Sequence, residues 1–562
     1  MTKPAKSVIQ HRDYSEKVNL AGGMMIRREY AAIVALLFIT FLIFAVALRN
    51  EILIGWDDGE YFTNPTVTGN PQDGQNIFST FYLGMYQPLA ILTFKICYNI
   101  WGDLAWLHII TNILIHLINT FLVFKLMKRW SLKFEASLIV AFLFALHPMH
   151  VEGVVWISTR SSLLYSLFFL TGLLQYHKYL NGFKVKDLAL TGLWFLLSLL
   201  SKSMAATFPL ILLLIDYFTR RPINKKAILE KIPFLAFSVI FGIISIKASE
   251  SFGHITVLEQ DYSFLNRIIL ILYGISFYLI KLVLPLNLSA IYSFPEITSN
   301  VFPTWVYGSI VALVFAVLII WYAKKNRRIF IFGFLFFVIH IGMVLPLFWS
   351  RIFITADRYT YLPYIGLFVI IAVLVTNLIE KRQTISSSSW NMAKFLLILG
   401  AAAMCVATFS RAKVWHDIPT LLGNVVENRR SDADLAHAYF YLGNYNDLQS
   451  RDKDAMKYYD LALTRNPKHL LALNNRGILK GKLMNIPGAV SDFSQAITLK
   501  PDYAEAYYNR GVAYYQGGQQ QQACSDWTKA SQLRFSPANS AISQYCRDNI
   551  QPDFNIAFPN AR

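Results

Sequence analysis

Twelve stretches of the chain are almost purely apolar, and the polar residues between them fall into short clusters. The stretches run approximately 30–48, 105–127, 134–151, 160–180, 186–200, 203–218, 232–248, 267–286, 303–323, 329–349, 362–379 and 392–410. As helices rising about 1.5 Å per residue, each crosses, or nearly crosses, a hydrocarbon layer of about 30 Å. Lys and Arg gather at their ends, and such an excess marks the cytoplasmic side. The N-terminal tail, 125–133, 178–186, 220–231, 324–328 and 381–382 all read as cytoplasmic. Between 220–231 and 324–328 lie three apolar stretches, where the charges require an even number of crossings. One stretch must therefore stop short. The choice is 267–286, which carries Arg267 and Lys281 and ends on Pro285, so it is re-entrant or interfacial. The alternative is that 186–218 has been divided wrongly. Eleven crossings remain, and everything after about residue 411 lies outside, with the loops 49–104, 151–160, 285–302 and 350–361.

The basic residues Lys3, Lys6, Arg12, Lys17, Arg27 and Arg28 precede the first stretch, and Ala45-Val46-Ala47 faintly resembles a cleavage site. The length of the stretch and the spans after it favour an uncleaved first span. Within the first external loop, Leu89, Thr93, Ile96 and Ile100 fall at helical spacing, which predicts an amphipathic helix over 82–100 at the membrane surface.

The last quarter has a different pattern. Asn466-Pro467 and Lys500-Pro501 lie 34 residues apart, and the positions around them recur. Tyr439, Leu442, Gly443, Ala455, Tyr459 and Ala462 are followed by Leu473, Arg476, Gly477, Ala489, Phe493 and Ala496. A third set has Tyr507, Arg510, Gly511, Tyr514, Ala523, Trp527 and Ala530. This is the period of tetratricopeptide (TPR) repeats, paired helices that stack into a solenoid. Three units are expected, about 436–469, 470–503 and 504–537, followed by a capping helix. The domains expected are thus a cytoplasmic tail at 1–29, a transmembrane domain at 30–411 and an extracytoplasmic repeat domain at 412–562. Cys524 and Cys546 can pair if that domain is outside; the alternative is two buried free thiols.

Composition agrees with a multi-pass membrane protein. The 562 residues are 55% hydrophobic and only 15% charged, against about 25% charged in soluble domains. A net charge of +18 would suggest nucleic acid in a soluble chain, but here the cations serve as topology anchors, so no nucleic-acid partner is expected. Four cysteines give no familiar metal-binding spacing, and no metal is predicted.

Four external segments hold polar groups that a lipid-facing loop does not need. They are Trp56-Asp57-Asp58 with Glu60; His147-Pro148-Met149-His150-Val151-Glu152 followed by Arg160; Ser201-Lys202-Ser203; and Asp357-Arg358-Tyr359. Ionisable groups at membrane depth are costly, so they have a partner or a function. Together they suit sugar transfer from a lipid phosphate. The leaving group is already a stable anion, which needs cations to hold it and no separate acid. Asp57 or Asp58 would take the proton of the attacking hydroxyl, and Arg160, Lys202 and Arg358 would stabilise the phosphate. Each has a plainer reading: solvated loop acids, an Arg160 surface anchor, a snorkelling Lys202, an Arg358 paired with Asp357 or Glu380, and histidines that cap the helix end at Pro148.

The ordered series Trp56-Asp57-Asp58 with Asn64-Pro65, Tyr86-Gln87-Pro88-Leu89, Leu107-His108 with Asn112 and His116, His147-Pro148 to Arg160, Ser201-Lys202 and Asp357-Arg358-Tyr359 with Tyr361 and Pro363, followed by repeats, resembles the transmembrane and tetratricopeptide-repeat (TMTC) O-mannosyltransferases and their prokaryotic relatives in the GT-C superfamily. The resemblance implies an all-α, polytopic GT-C fold of about eleven spans with a C-terminal α-solenoid. It implies an inverting transfer of mannose or a similar hexose from a polyprenyl-phosphate donor to a hydroxyl, of a protein acceptor by expectation. The base would be Asp57 or Asp58. Arg160, Lys202, Arg358 and Tyr361 would hold the donor phosphate, with His147, His150, Glu152 and Glu60 in support. Ser203 and Asp357 depart from the family, which often has an acid after the lysine and Glu at the second position. The short repeat array points to a bacterial inner membrane, with the repeats in the periplasm, ahead of an endoplasmic-reticulum membrane. The repeat groove would recruit the acceptor protein or a partner. The competing reading is a membrane-anchored TPR scaffold without catalytic activity, although one span would serve a scaffold. A flippase would place charges at mid-span, where His116 is an exception in largely clean runs.

Overall fold

The computed structural model describes residues 17–20, 24–69, 76–251, 262–295, 297, 301–322, 326–346, 353–428, 431–546 and 558. Lys3, Lys6, Arg12, Lys324 and the end of the expected cap fall outside them. An antiparallel ribbon, β1 (Lys17–Leu20) and β2 (Met24–Arg27), leads into helix α1 (Arg28–Phe44). Short helices α2 (Asp57–Thr63) and α3 (Pro65–Thr68) precede α4 (Pro88–Trp101). Then follow α5 (Ala105–Arg129), α6 (Phe134–Leu146), the short α7 (Val151–Val155), α8 (Arg160–Gly182), α9 (Val185–Ser201) and α10 (Phe208–Phe218). Beyond them come the short α11 (Lys225–Leu229), α12 (Ile232–Ser251), α13 (Phe264–Val283), α14 (Thr304–Tyr322), α15 (Arg327–Ile341), α16 (Tyr364–Glu380) and α17 (Ser387–Val414). Every apolar stretch therefore carries a helix among the described residues, and the helix expected over 82–100 is shorter than its pattern, α4 beginning only at Pro88, with Ile96 and Ile100 exposed.

Eight helices are long and apolar enough to cross a membrane, or nine if Phe134–Leu146 and Pro148–Val155, bent by 51°, count as one span; Ser203–Phe218 and Thr304–Phe315 are shorter apolar helices. The chain is a multi-pass membrane protein. Its bundle has two distinct ends. At one, Lys128 pairs with Glu29 at 3.0 Å, Lys133 bonds Glu380, and Arg328 lies 4.9 Å over the Tyr217 ring. A buried network there joins Asp216 to Lys231 at 2.6 Å and Arg221 to Glu230 at 2.6 Å. At the other end lie the loops with Asp57, Glu152 and Arg358, and the repeats.

Contacts settle how 186–218 is divided. Lys202, between α9 and α10, bonds Ser162 at the start of α8, whereas Tyr176 near the end of α8 donates to Asp216 at the end of α10. Thus α8, α9 and α10 each run between the two ends. The helix α13 does not, although it passes the length and apolarity test. Tyr262 before it packs on Phe294 and Phe302, a Cβ on Gly274 would lie 2.7 Å from Leu345, and the carbonyl of Leu282 accepts from His147 at 3.1 Å. All these partners belong to the end with the polar loops, so α13 packs against that end of the bundle.

The bundle core is close-packed. A Cβ on Gly333 of α15 would lie 2.3 Å from the carbonyl oxygen of Gly366 on α16, so the two backbones touch only because neither residue has a side chain. Outward faces are apolar and exposed, as on α12 (Leu235, Val239, Ile240) and α17 (Phe395, Leu396, Ile398), which suits a lipid surround.

The repeats follow the 34-residue period. After α18 (Ile418–Glu427), capped by Asp417, come the pairs α19 (Asp432–Leu448) and α20 (Asp452–Arg465), α21 (Leu470–Lys482) and α22 (Ile486–Leu499), α23 (Ala504–Gln516) and α24 (Gln520–Gln532), closed by α25 (Pro537–Tyr545). A Cβ on Gly443, Gly477 or Gly511 would sit 2.5, 2.7 or 2.6 Å from the ring of Tyr459, Phe493 or Trp527. The recurring glycine thus lets the aromatic of the partner helix lie against the backbone. Cys524 and Cys546 are disulfide-bonded and tie the last repeat to α25.

Candidate functional site

The segment after α1 turns sharply at Gly55, whose φ of +94° is left-handed. It then enters α2, whose first turn carries Asp57, Asp58 and Glu60. The two adjacent aspartates part company here. Asp58 is buried, and its carboxylate accepts from the Ser158 amide at 2.9 Å, the Ser158 hydroxyl and the Leu53 amide at 3.3 Å. It is a tether between the first loop and the 156–160 turn. Burial pushes its carboxyl up to about 7, and those three bonds oppose the rise. Asp57 opens to solvent in a recess walled by protein. Reduced hydration among the surrounding atoms lifts its carboxyl above the usual range; Arg358 opposes this, while Glu60 and Glu152 add to it. Water still reaches the group and screens the lift.

Across the recess stands Arg358, on the 3-10 turn Asp357–Thr360. Buried Glu152 accepts from its guanidinium and, at 2.9 Å, from its backbone amide. The guanidinium also lies 5.2 Å over the Trp156 ring and 4.9 Å over Tyr359. Glu152 thus holds Arg358 at both side chain and main chain. The structural pairings weighed from sequence are replaced: Asp357 accepts from Tyr292 at 2.7 Å and lies 3.5 Å from Arg411, while Glu380 bonds Lys133 at the opposite end. Burial raises the Asp357 carboxyl to about 7, and Arg411 opposes the rise.

Arg160 is buried below Asp58. Its Nε donates to Asn112 at 3.0 Å, one terminal nitrogen donates to the His108 carbonyl at 3.0 Å, and its guanidinium lies 4.2 Å over the Phe94 ring. The other terminal nitrogen, Nη1, is also buried, and the Cys97 side chain lies beside the guanidinium. Lys202 donates to Ser162, two residues after Arg160 at the same end, at 2.7 Å. The four stretches singled out in the sequence therefore do meet at one end of the bundle.

Other expected site residues stand elsewhere. Tyr361 does not face the recess. It is buried, with its hydroxyl bonded to His116 at 2.8 Å and Asn119 at 3.2 Å, so it fills the bundle interior and is no phosphate ligand. His147 and His150 bond the carbonyls of Leu282 at 3.1 Å and Phe144 at 2.8 Å. They fix the chain where Pro148 interrupts α6 and touch neither aspartate. Glu60 is exposed beside Asp57. Among the described residues, no group of three or more His, Cys, Asp or Glu is placed to hold a metal ion.

The sequence reading missed an aromatic wall. Trp56 packs on Trp156 at 6.2 Å and on Tyr441, from the first repeat, at 4.5 Å. It also missed Arg411 as the partner of Asp357. A lone arginine closing the last apolar stretch was the available signal, but it coincided with the expected domain boundary at 411.

Known proteins match most of the chain. A model described as TPR repeat matches residues 485–534. Protein O-mannosyl-transferase F38B6.6 of Caenorhabditis elegans is 26% identical over 437 residues, covering 74% of this chain and 60% of that protein. Protein O-mannosyl-transferase TMTC4 of Homo sapiens is 33% identical over 135 residues, 21% of this chain and 18% of that protein. The chain is similar to the protein O-mannosyl-transferases, TMTC4 among them. It spans about 60% of the length of the nematode relative. Among solved structures, the first TPR of Spaghetti (RPAP3) bound to an HSP90 peptide matches 20% of this chain and 98% of its own, at 21% identity. The TM-score of that match is 0.19.

Proposed function

We propose that this chain is an inverting membrane glycosyltransferase of the GT-C type, moving mannose or a similar hexose from a polyprenyl-phosphate donor to a hydroxyl of a protein acceptor. One observation carries the reading: Asp57 is the open carboxylate of an acidic pair whose other member is fully tethered, and it faces a cation locked in place by Glu152. The names of the relatives support the same class.

In this reading Asp57 accepts the proton of the acceptor hydroxyl as its oxygen attacks the anomeric carbon. The carbon–oxygen bond to the phosphate breaks, and the bonding pair leaves with the polyprenyl phosphate. The attack comes from the face opposite the leaving group, so the anomeric configuration inverts. Arg358, Arg160 and Lys202 balance the charge that grows on the phosphate, and the fixed geometry of Arg358 means little reorganisation as it does so. The donor's prenyl chain would lie in lipid beside the exposed apolar faces.

We place the recess and the repeats on the extracytoplasmic side, in a bacterial inner membrane with the repeats in the periplasm. The basic residues gathered at the opposite end support this, as does the Cys524–Cys546 disulfide, a bond favoured in oxidising compartments.

The test is single substitution of Asp57 and Asp58 to Asn, with sugar transfer assayed from a polyprenyl-phosphate donor. Asp57→Asn should lower kcat by about a thousandfold with an unchanged unfolding midpoint, the general-base contribution together with lost charge complementarity. Transfer by Asp57→Asn at the rate of the unmodified protein would remove the proposed base, and absence of transfer by the unmodified protein would favour the scaffold reading.

A further inference from the structure

One helix of the repeat array is pinned to three separate loops of the membrane domain. Along α19, Asp434 accepts from the Ser293 amide at 2.7 Å, the His437 ring meets Phe353 edge-on at 5.5 Å, and Tyr441 packs on Trp56 at 4.5 Å. Next in line, a Cβ on Gly55 would lie 3.6 Å from the Tyr445 backbone and 3.5 Å from Leu448. The spacing 434, 437, 441, 445 is one face of a helix, so a whole face of the first repeat is committed to these loops. The loops are the ones that build the recess. Asp57 follows Trp56 directly. Tyr292 beside Ser293 donates to Asp357, and Ile354 beside Phe353 donates to the Tyr292 carbonyl at 2.9 Å.

Tyr441 is the member of that face that packs on Trp56, the residue before the acid. The Asp57 charge acts on its phenol, which is pushed up by burial and by that charge. Arg358 acts on Asp57 from the membrane loops, and Asp57 in turn acts on Tyr441 in the repeats. An inverting transfer needs the acceptor hydroxyl on the side of the sugar away from the phosphate. If the phosphate sits at the arginines, the hydroxyl arrives from the side of α19.

We propose that the first repeat forms a wall of the acceptor entrance, and that Tyr441 is the side chain that contacts a hydroxyl-bearing polypeptide segment next to Asp57. This rests on the reading of Asp57 as the base. The acceptor is then chosen by the repeat helix as well as by the membrane loops, and the repeats are part of the site rather than a detached recruiting arm. A tyrosine offers a flat apolar face with a polar edge, which fits a peptide backbone passing over Trp56.

The experiment uses the full chain in lipid nanodiscs, a polyprenyl-phosphate mannose donor and a serine/threonine peptide acceptor. Tyr441→Ala should raise the acceptor KM about tenfold while moving the donor KM less than about twofold, and Tyr441→Phe should restore most of the acceptor affinity. A Tyr441→Cys variant should react with maleimide, and saturating acceptor peptide should slow that reaction. An acceptor KM unmoved in Tyr441→Ala while Asp57→Asn is inactive overturns the wall and leaves the base standing. A fall in kcat with both KM values unmoved and a lower unfolding midpoint makes Tyr441 a support of the fold and overturns the proposal too. Absence of peptide protection at Tyr441→Cys does the same. Full transfer by Asp57→Asn is a different result, because it removes the underlying reading itself.

Discussion

The membrane bundle and the repeat array keep their buried polar groups satisfied in opposite ways. In the repeats the partners are near in sequence or one period away. Arg476 reaches Asp492 and Arg510 reaches Asp526, each sixteen residues on, and Asn509 donates to Asn474 of the preceding unit. In the bundle the decisive partners are remote: Ser158 on Asp58 at a separation of 100, Arg358 on Glu152 at 206, and Thr408 on the Leu146 carbonyl at 262. Lesions in the array should therefore stay local, as in a quasi-one-dimensional solenoid, whereas lesions in the bundle should spread through the recess. The face of α19 against the loops is where the two regimes meet.

The largest departure should come from the remote pairs. Arg358→Ala takes the fixed cation from the recess and leaves Glu152 buried without its partner. A fall in kcat/KM of about 10²–10³ is expected, measured with the same donor and acceptor. Loss of less than about threefold would mean that Arg358 serves packing alone.

Two glycines compare the regions directly. In Gly366→Val the new Cβ meets the Gly333 carbonyl oxygen at 2.2 Å, and neither backbone can withdraw, so a loss above about 3 kcal/mol is expected in the detergent-solubilised protein. In Gly477→Val the obstacle is the Phe493 ring at 2.7 Å, which can shift at a cost of about 1–3 kcal/mol. Limited proteolysis should then open the second repeat first and leave the bundle intact. Cleavage appearing in bundle and repeats together would contradict the contrast.

The smallest effect is electrostatic. Asp58 binds its proton more tightly in the folded chain, at about 7, than it would unfolded, near about 4. The fold therefore holds the extra proton between those values. Its contribution to stability is full below about pH 4 and is lost as pH rises through about 7. The difference between unfolding midpoints of the unmodified protein and Asp58→Asn should narrow or change sign across that window. A pH-independent difference would mean that the Ser158 and Leu53 bonds keep the carboxylate ionised throughout.

Much of this arrangement could be read from the residues. Length and apolarity gave the helices, because a segment that cannot hydrate its backbone in lipid must satisfy it internally. The parity of basic clusters singled out 267–286, and Gly443, Gly477 and Gly511 marked the repeats, because backbone contact there excludes any side chain. These are local rules. Asp57 and Asp58 show where such rules stop: they are identical in type and adjacent in sequence, yet one is a tether and the other faces the recess. Ser158 and Arg358 make that division, and neither lies near them in the chain. Tyr361 was misplaced for the same reason, since the turn that leads into α16 points its hydroxyl toward His116 and Asn119.

Segment type, membrane insertion and repeat period follow from each residue's own preference for water, lipid or backbone contact, and so they are written along the chain. The role of each charged group depends on which remote partner reaches it. Packing settles that choice, because a buried charge takes the nearest partner in space and not in sequence.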